Sequence, residues 1–230
     1  MRSIIFTMSD IDSKTIALIG GGPAALFFLK HLVSKKIRPS SVIIFEKNEN
    51  LGMGMPYGPS GSGKEHVANV SANEIPELYN DIEEFISHHT IEGFEEYFTA
   101  GKINRDQVIP RLVLGKYLEN QFNTYIKLAR KAGIDVIINT NTAVEDIIAD
   151  RDHSYSVITA SGKRQHADII VLCTGHHWTQ SFEGKHKGWY DSPYPPSKFS
   201  TPTNHPVAVK GASLTAVDII RTLSDRKSVV

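Results

Sequence analysis

The residues of this chain with the clearest chemical capacity are Gly20-Gly21-Gly22-Pro23-Ala24-Ala25, a G-x-G-x-x-A pattern. In such a turn Gly20 permits a sharp bend, Gly22 lets backbone approach a pyrophosphate, and Ala25 is small enough for close helix-to-strand packing. Pro23 and Ala24 complete the turn and are counted with it as cofactor-binding candidates. The pyrophosphate would sit on the N-terminus of the following helix, where unpaired N–H groups and the macrodipole favour anions. Glu46 follows Gly20 by 26 residues and can accept hydrogen bonds from ribose hydroxyls while repelling a 2′-phosphate. That spacing is a little longer than the usual ~20. Lys47, beside it, is a further candidate. The alternative is that the glycines only shape a turn and that Glu46 is a solvated loop acid.

The pattern has meaning only between a strand and a helix. Thr15-Ile16-Ala17-Leu18-Ile19 is almost wholly apolar, as a buried parallel strand requires, and Leu26, Phe27, Leu29, His31 and Leu32 read as the helix. Ser41 to Phe45 is the second strand. Lys47 to Asn80 lacks periodicity and reads as a long loop. Asp81 to His89 is a short helix. Arg111 to Lys131 is a longer one, carrying Leu114, Leu118, Phe122, Tyr125 and Ala129 at helical spacing with Gly133 as its stop. Ile134 to Ile138 is a parallel strand, and Val144 to Ala149, Tyr155 to Ala160 and Lys163 to Ala167 form a small antiparallel meander leading into the strand Ile169 to Cys173. Val207 to Lys210 and Leu214 to Leu223 then repeat the strand, glycine turn and helix of the N-terminus. The fold class is α/β: a Rossmann-like parallel sheet plus an antiparallel meander, followed by the start of a second Rossmann-like domain.

Composition narrows the function classes. Twenty-five Lys plus Arg balance 25 Asp plus Glu, so no global positive field recruits nucleic acid or anionic lipid. The single cysteine, Cys173, cannot form an internal disulfide and points to a reducing, cytoplasmic setting. No apolar run approaches the ~20 residues of a membrane span. Met1 to Phe6 has too short an apolar stretch for a signal peptide and reads as a tail.

Further motifs extend the glycine turn: Leu51-Gly52-Met53-Gly54-Met55-Pro56-Tyr57, His66-Val67-Ala68-Asn69-Val70, Arg111 with Gly115-Lys116-Tyr117-Leu118, and Cys173-Thr174-Gly175-His176. With them the sequence resembles the two-dinucleotide-binding-domain flavoproteins, in particular the FAD/NAD(P)-binding group related to flavin monooxygenases. The resemblance covers about Thr15 to Leu223. It implies FAD as cofactor. Thr174 and Gly175 would return the chain to the FAD site, and Gly52, Met53 and Gly54 would pass the ribityl and pyrophosphate. His66 and Asn69 would fall near the flavin ring or its phosphates, Arg111 would offer a fixed cation, and Val144, at the head of the meander, joins the cofactor candidates. His66 as an ordinary loop histidine and Arg111 as a helix cap are the alternatives.

Val207 to Ala216 resembles the NAD(P)H-binding turn of the same family, with Gly211, Ser213 and Thr215 as its candidates. Ser213 stands where a second glycine is expected, which would weaken or displace the dinucleotide unless its hydroxyl donates to phosphate. Asp218 reads as a solvated helix residue. The residue choosing NADH or NADPH would lie past the next strand, beyond Val230. At 230 residues the chain amounts to about one and a half domains. The expected layout is a tail over 1–13, an FAD-binding domain over 14–185, a linker over 186–205, and the truncated beginning of an NAD(P)-binding domain over 206–230. The apolar face of Ile219, Ile220 and Leu223 should then lack most of its packing partners.

Gly58 to Glu65 nearly fits a phosphate loop ending at Lys64, but Glu65 replaces the hydroxyl residue and no strand or helix flanks it. The pairs His88-His89 and His176-His177 lack a carboxylate at ligand spacing, so no metal is expected. Trp178, Trp189, Tyr190 and Tyr194 would cover a flavin or anchor their own loop. The expected function is an FAD-binding oxidoreductase domain reduced by NAD(P)H, with monooxygenation of a small molecule as one outcome. The rival is a non-catalytic fragment that holds a dinucleotide weakly. No motif specifies the substrate, a catalytic acid or base, or the oligomeric state.

Overall fold

The computed structural model describes residues 11–95, 104–177 and 179–225. Most of the expected tail, Trp178 and the last five residues lie outside them. The described chain groups into two compact units, each discontinuous in sequence: Met1–Gly54 with Leu118–Gly175, and Met55–Tyr117 with His176–Val230.

In the first unit, β1 (Thr15–Ile19) leads through the glycine turn into α1 (Pro23–Ser34) and on to β2 (Ser41–Phe45). All five residues of β2 are buried, as a central parallel strand covered on both faces requires. Further along, α4 (Arg111–Lys131) lies mostly in this unit and precedes β5 (Asp135–Asn139); β6 (Val144–Ala149), β7 (Tyr155–Thr159) and β8 (Arg164–Ala167) form the meander, and β9 (Ile169–Leu172) closes the series. The parallel sheet has the order β5-β2-β1-β9. Its register pairs Ile19 with Phe45, Phe45 with Asn139 and Ile19 with Leu172, so the C-terminal ends of all four strands are flush. Because strand side chains alternate faces, Ala17, Ile19, Ile43 and Phe45 share one side of the sheet, where Val157 and Ala167 of the meander pack on them.

Asp168 pins the corner between β8 and β9 to the start of β1, accepting from the Thr15 amide at 2.8 Å and from Lys14 Nζ at 3.2 Å. Burial pushes its pKa up, but the Thr15 amide and the Lys14 ammonium outweigh this and hold it below the ordinary Asp value. A depressed folded pKa means that the unfolded chain binds the proton more readily, so the stabilisation is present above the unfolded value and is lost as pH falls through the folded one. Asp168→Asn should therefore lower stability near neutrality by roughly 1 kcal/mol or less. Urea titrations across the acid range should show the gap to wild type closing as the pH drops.

In the second unit, α2 (Gly54–Tyr57) begins at the unit boundary, and β3 (Val67–Ser71), α3 (Ile82–His88), β4 (Val108–Pro110) and α5 (Leu214–Asp225) follow. The expected loop over 47–80 is thus broken by a helical turn and by β3, which pairs antiparallel with β4. β3 is five residues long and its partner lies about 40 residues away, so no local alternation announced it. Val207–Lys210 forms no strand: among the described residues nothing pairs with it, and an extended segment without a ladder partner leaves its backbone groups to water. The expectation for α5 is also corrected. Ile219 and Leu223 are 8% and 2% exposed, because α5 packs within its own unit beside the 3-10 turn Pro196–Phe199; of the three residues, Ile220, at 43%, faces outward. Among the described residues no helix is long and apolar enough to cross a membrane.

Candidate functional site

The glycine turn sits at the flush C-terminal edge of the parallel sheet, the side on which open α/β sheets bind ligands. Gly20 has φ +104°, and a Cβ there would lie 2.3 Å from the Cys173 carbonyl oxygen and 3.3 Å from the Thr174 nitrogen. The Thr174-Gly175 motif thus lies directly against the first glycine. Both Thr174 and Gly175 are exposed. The Gly20 amide donates to Phe45 O at 2.8 Å and the Cys173 amide to Ile19 O at 2.8 Å, so sheet bonding runs to the brink of the turn. Burial raises the Cys173 thiol pKa, in keeping with a small core residue.

α1 opens on Pro23 behind Gly22, with no side-chain cap and no acid in its first turn. Its leading amides therefore keep their capacity for an anion, and Ala24 is exposed there. Ala25 is fully buried. A Cβ on Gly22 would stand 3.4 Å from the Gly54 Cα, so the second glycine meets the Gly52-Met53-Gly54 loop backbone to backbone. Gly52, with φ +89°, donates to Gly21 O at 2.7 Å, and Met53 is buried.

Glu46 is 7% exposed. Its Oε2 accepts from the Gly21 amide at 2.8 Å, and its Oε1 accepts from both the Asn48 amide and Asn48 Nδ2, each at 2.9 Å. It is not a solvated loop acid. Lys47 is exposed, and Val144 packs on the sheet beside the Ala17, Ile19, Ile43 and Phe45 cluster. Thirteen candidates, from Gly20 through Glu46 and Gly54 to Gly175, thus fall in the first unit.

The other six, His66, Asn69, Arg111, Gly211, Ser213 and Thr215, fall in the second. Arg111 is 6% exposed, and its guanidinium makes four hydrogen bonds: Nε to Val67 O at 2.9 Å, Nη1 to Tyr194 Oη at 3.1 Å, and Nη2 to Asp218 Oδ2 at 2.6 Å and to Asn69 Oδ1 at 3.4 Å. Tyr194 also donates to Asp218. Burial pulls the Arg111 pKa down, but Tyr194 and Asp218 outweigh it and the net shift is upward. Burial and the Asp218 carboxylate raise the Tyr194 pKa. Asp218 is 5% exposed, which corrects its reading as a solvated helix residue. His66, 1% exposed, accepts the Gly63 amide at Nδ1 (3.0 Å), which leaves Nε2 as the donor, 2.9 Å from Thr222 Oγ1. Arg111 and His66 thus meet the buried polar face of α5. At the head of α5, Gly211 has φ +117° in open space, and Gly211, Ser213 and Thr215 are all exposed.

Within Gly58 to Glu65, Gly61 serves packing: a Cβ there would lie 1.8 Å from Met55 O. Of the loop aromatics, Trp189 donates to Asp191 at 2.8 Å and Tyr190 packs on Phe199, so they anchor their own loop. Sequence reasoning missed Asn48 and Thr222, and it singled out Tyr194 as a flavin cover or loop anchor rather than as the partner of Arg111 and Asp218. Only Asn48 carried a local signal, since Asn side chains readily bond groups two residues away.

A parallel sheet with a meander, a glycine turn at its C-terminal edge and an acid at the end of the second strand define a dinucleotide-binding flavoprotein fold. The model of the FAD-NAD(P)-binding family matches residues 17–177, and the chain belongs to that family. It is 27% identical over 206 residues to the uncharacterized protein YdhS of Escherichia coli (strain K12), spanning 89% of this chain and 38% of that protein. The closed crystal structure of cyclohexanone monooxygenase matches 93% of this chain and 37% of its own at 14% identity and a TM-score of 0.55. The ε-caprolactone-bound structure of that enzyme in its Loose conformation matches 92% and 37% at 13% identity and 0.54. These two share the fold. The chain spans well under half the length of each of these relatives.

Proposed function

We propose that this chain is the FAD-binding part of an oxidoreductase whose flavin is reduced by NAD(P)H and which acts on a small molecule, with monooxygenation as the reaction class. The observation that carries this reading is the contact of Gly20 with Cys173-Thr174 at the sheet edge beside Glu46, where two motifs far apart in sequence meet. The uncapped first turn of α1 fits a pyrophosphate, and Glu46 keeps one acceptor position for a ribose hydroxyl. Gly20, Gly22, Pro23, Ala24, Ala25, Glu46, Lys47, Gly52, Met53, Gly54, Val144, Thr174 and Gly175 are the residues assigned to FAD. His66, Asn69 and Arg111 support the second unit from within, and Gly211, Ser213 and Thr215 are assigned to NAD(P)H. When bound, the flavin supplies the electron transfer; the protein orients it and tunes its surroundings.

Purified chain titrated with FAD should acquire the visible flavin spectrum with saturation, and no uptake at high FAD would sink the proposal. A second reading, a dinucleotide-binding module without turnover, is favoured by Ser213 standing exposed where a glycine is expected. NAD(P)H oxidation by the FAD-loaded chain decides between them.

A further inference from the structure

We infer that Asn48 is a positioning residue that restricts Glu46 to reading a single ribose hydroxyl, an inference that rests on the FAD reading above. An ionised carboxylate has about four acceptor positions, two on each oxygen. Both positions of Glu46 Oε1 are taken by Asn48, through its amide and its Nδ2, each at 2.9 Å. One position of Oε2 is taken by the Gly21 amide at 2.8 Å. A single Oε2 position remains. With Glu46 only 7% exposed, the carboxylate has little room to turn and offer another. The Gly21 side is equally constrained, because a Cβ there would lie 2.4 Å from Leu51 Cδ2 and 3.1 Å from Glu46 Cβ. A ribose presents two neighbouring hydroxyls, and a free carboxylate accepts from both. Here one hydroxyl is read and the other is not. Asn48 acts through Glu46, and its exposed side chain can be changed without opening the core.

The test is displacement of FAD, followed by flavin fluorescence, with ADP, 2′-deoxy-ADP and 3′-deoxy-ADP as competitors. Wild type should bind one deoxy compound at least about tenfold more weakly than ADP, and the other within about threefold of it. Asn48→Ala keeps the backbone donor but frees one Oε1 position, so the second hydroxyl should gain weight and the two deoxy compounds should draw to within about threefold of each other. A purely structural Asn48 would lower all three affinities in parallel and leave the ratio untouched. Equal losses for the two deoxy compounds in wild type, or an unchanged ratio in Asn48→Ala, overturn the inference while FAD binding stands. Failure of wild type to bind FAD at all overturns the FAD reading and this inference with it.

Discussion

Arg111→Met is expected to destabilise the second unit by about 3–5 kcal/mol, the usual cost of stripping one partner from a buried ion pair. The Arg111 and Asp218 side chains are each 7% exposed, and their 2.6 Å contact is supported by Tyr194, Asn69 and the Val67 carbonyl. Without the guanidinium, the Asp218 carboxylate stays buried on α5 with only Tyr194 donating to it among these partners. Arg111→Lys should recover little, because a point ammonium cannot serve four acceptors spread around a planar fork. The double variant Arg111→Met with Asp218→Leu should be less destabilised than Arg111→Met alone, since removing both charges removes the stranded one. Guanidinium denaturation of the three variants tests this. A double variant no more stable than the single one would show that the charge pair is not what holds α5.

Gly20→Ala should cost about 3 kcal/mol or more and abolish FAD uptake. Two penalties combine there. At φ +104° an L side chain is strained, and the new methyl would be driven to 2.3 Å from the Cys173 carbonyl oxygen, a backbone atom that sheet bonding holds in place. Gly162→Ala separates the two penalties, because Gly162 has φ +78° with nothing within 4 Å of its Cβ position. That variant should lose only about 1–2 kcal/mol. If thermal unfolding shows the two alanine variants equally destabilised, the close approach of the glycine turn to the Thr174-Gly175 segment has no energetic weight.

Much of the first unit was legible because its signals are local. Thr15–Ile19 and Ser41–Phe45 are apolar on both faces, and Leu114, Leu118, Phe122, Tyr125 and Ala129 recur at helical spacing; the strands and helix stand at these positions. β3 was not legible because a five-residue strand without alternation is specified by its partner, and Val207–Lys210 was misread because an apolar run becomes a strand only where a ladder awaits it.

The sequence by itself determined the class of site: a glycine turn between strand and helix, an acid after the second strand, and a Thr-Gly after the last. Each is a short-range pattern whose backbone demands are written in adjacent residues. Only the tertiary structure decided how these groups are used. The Arg111 guanidinium, expected to meet a cofactor, is neutralised by a carboxylate 107 residues away, and three of the four Glu46 acceptor positions are already filled. The physical reason is that a buried charge takes the partner that packing brings to it, and that choice leaves no period or spacing in the chain.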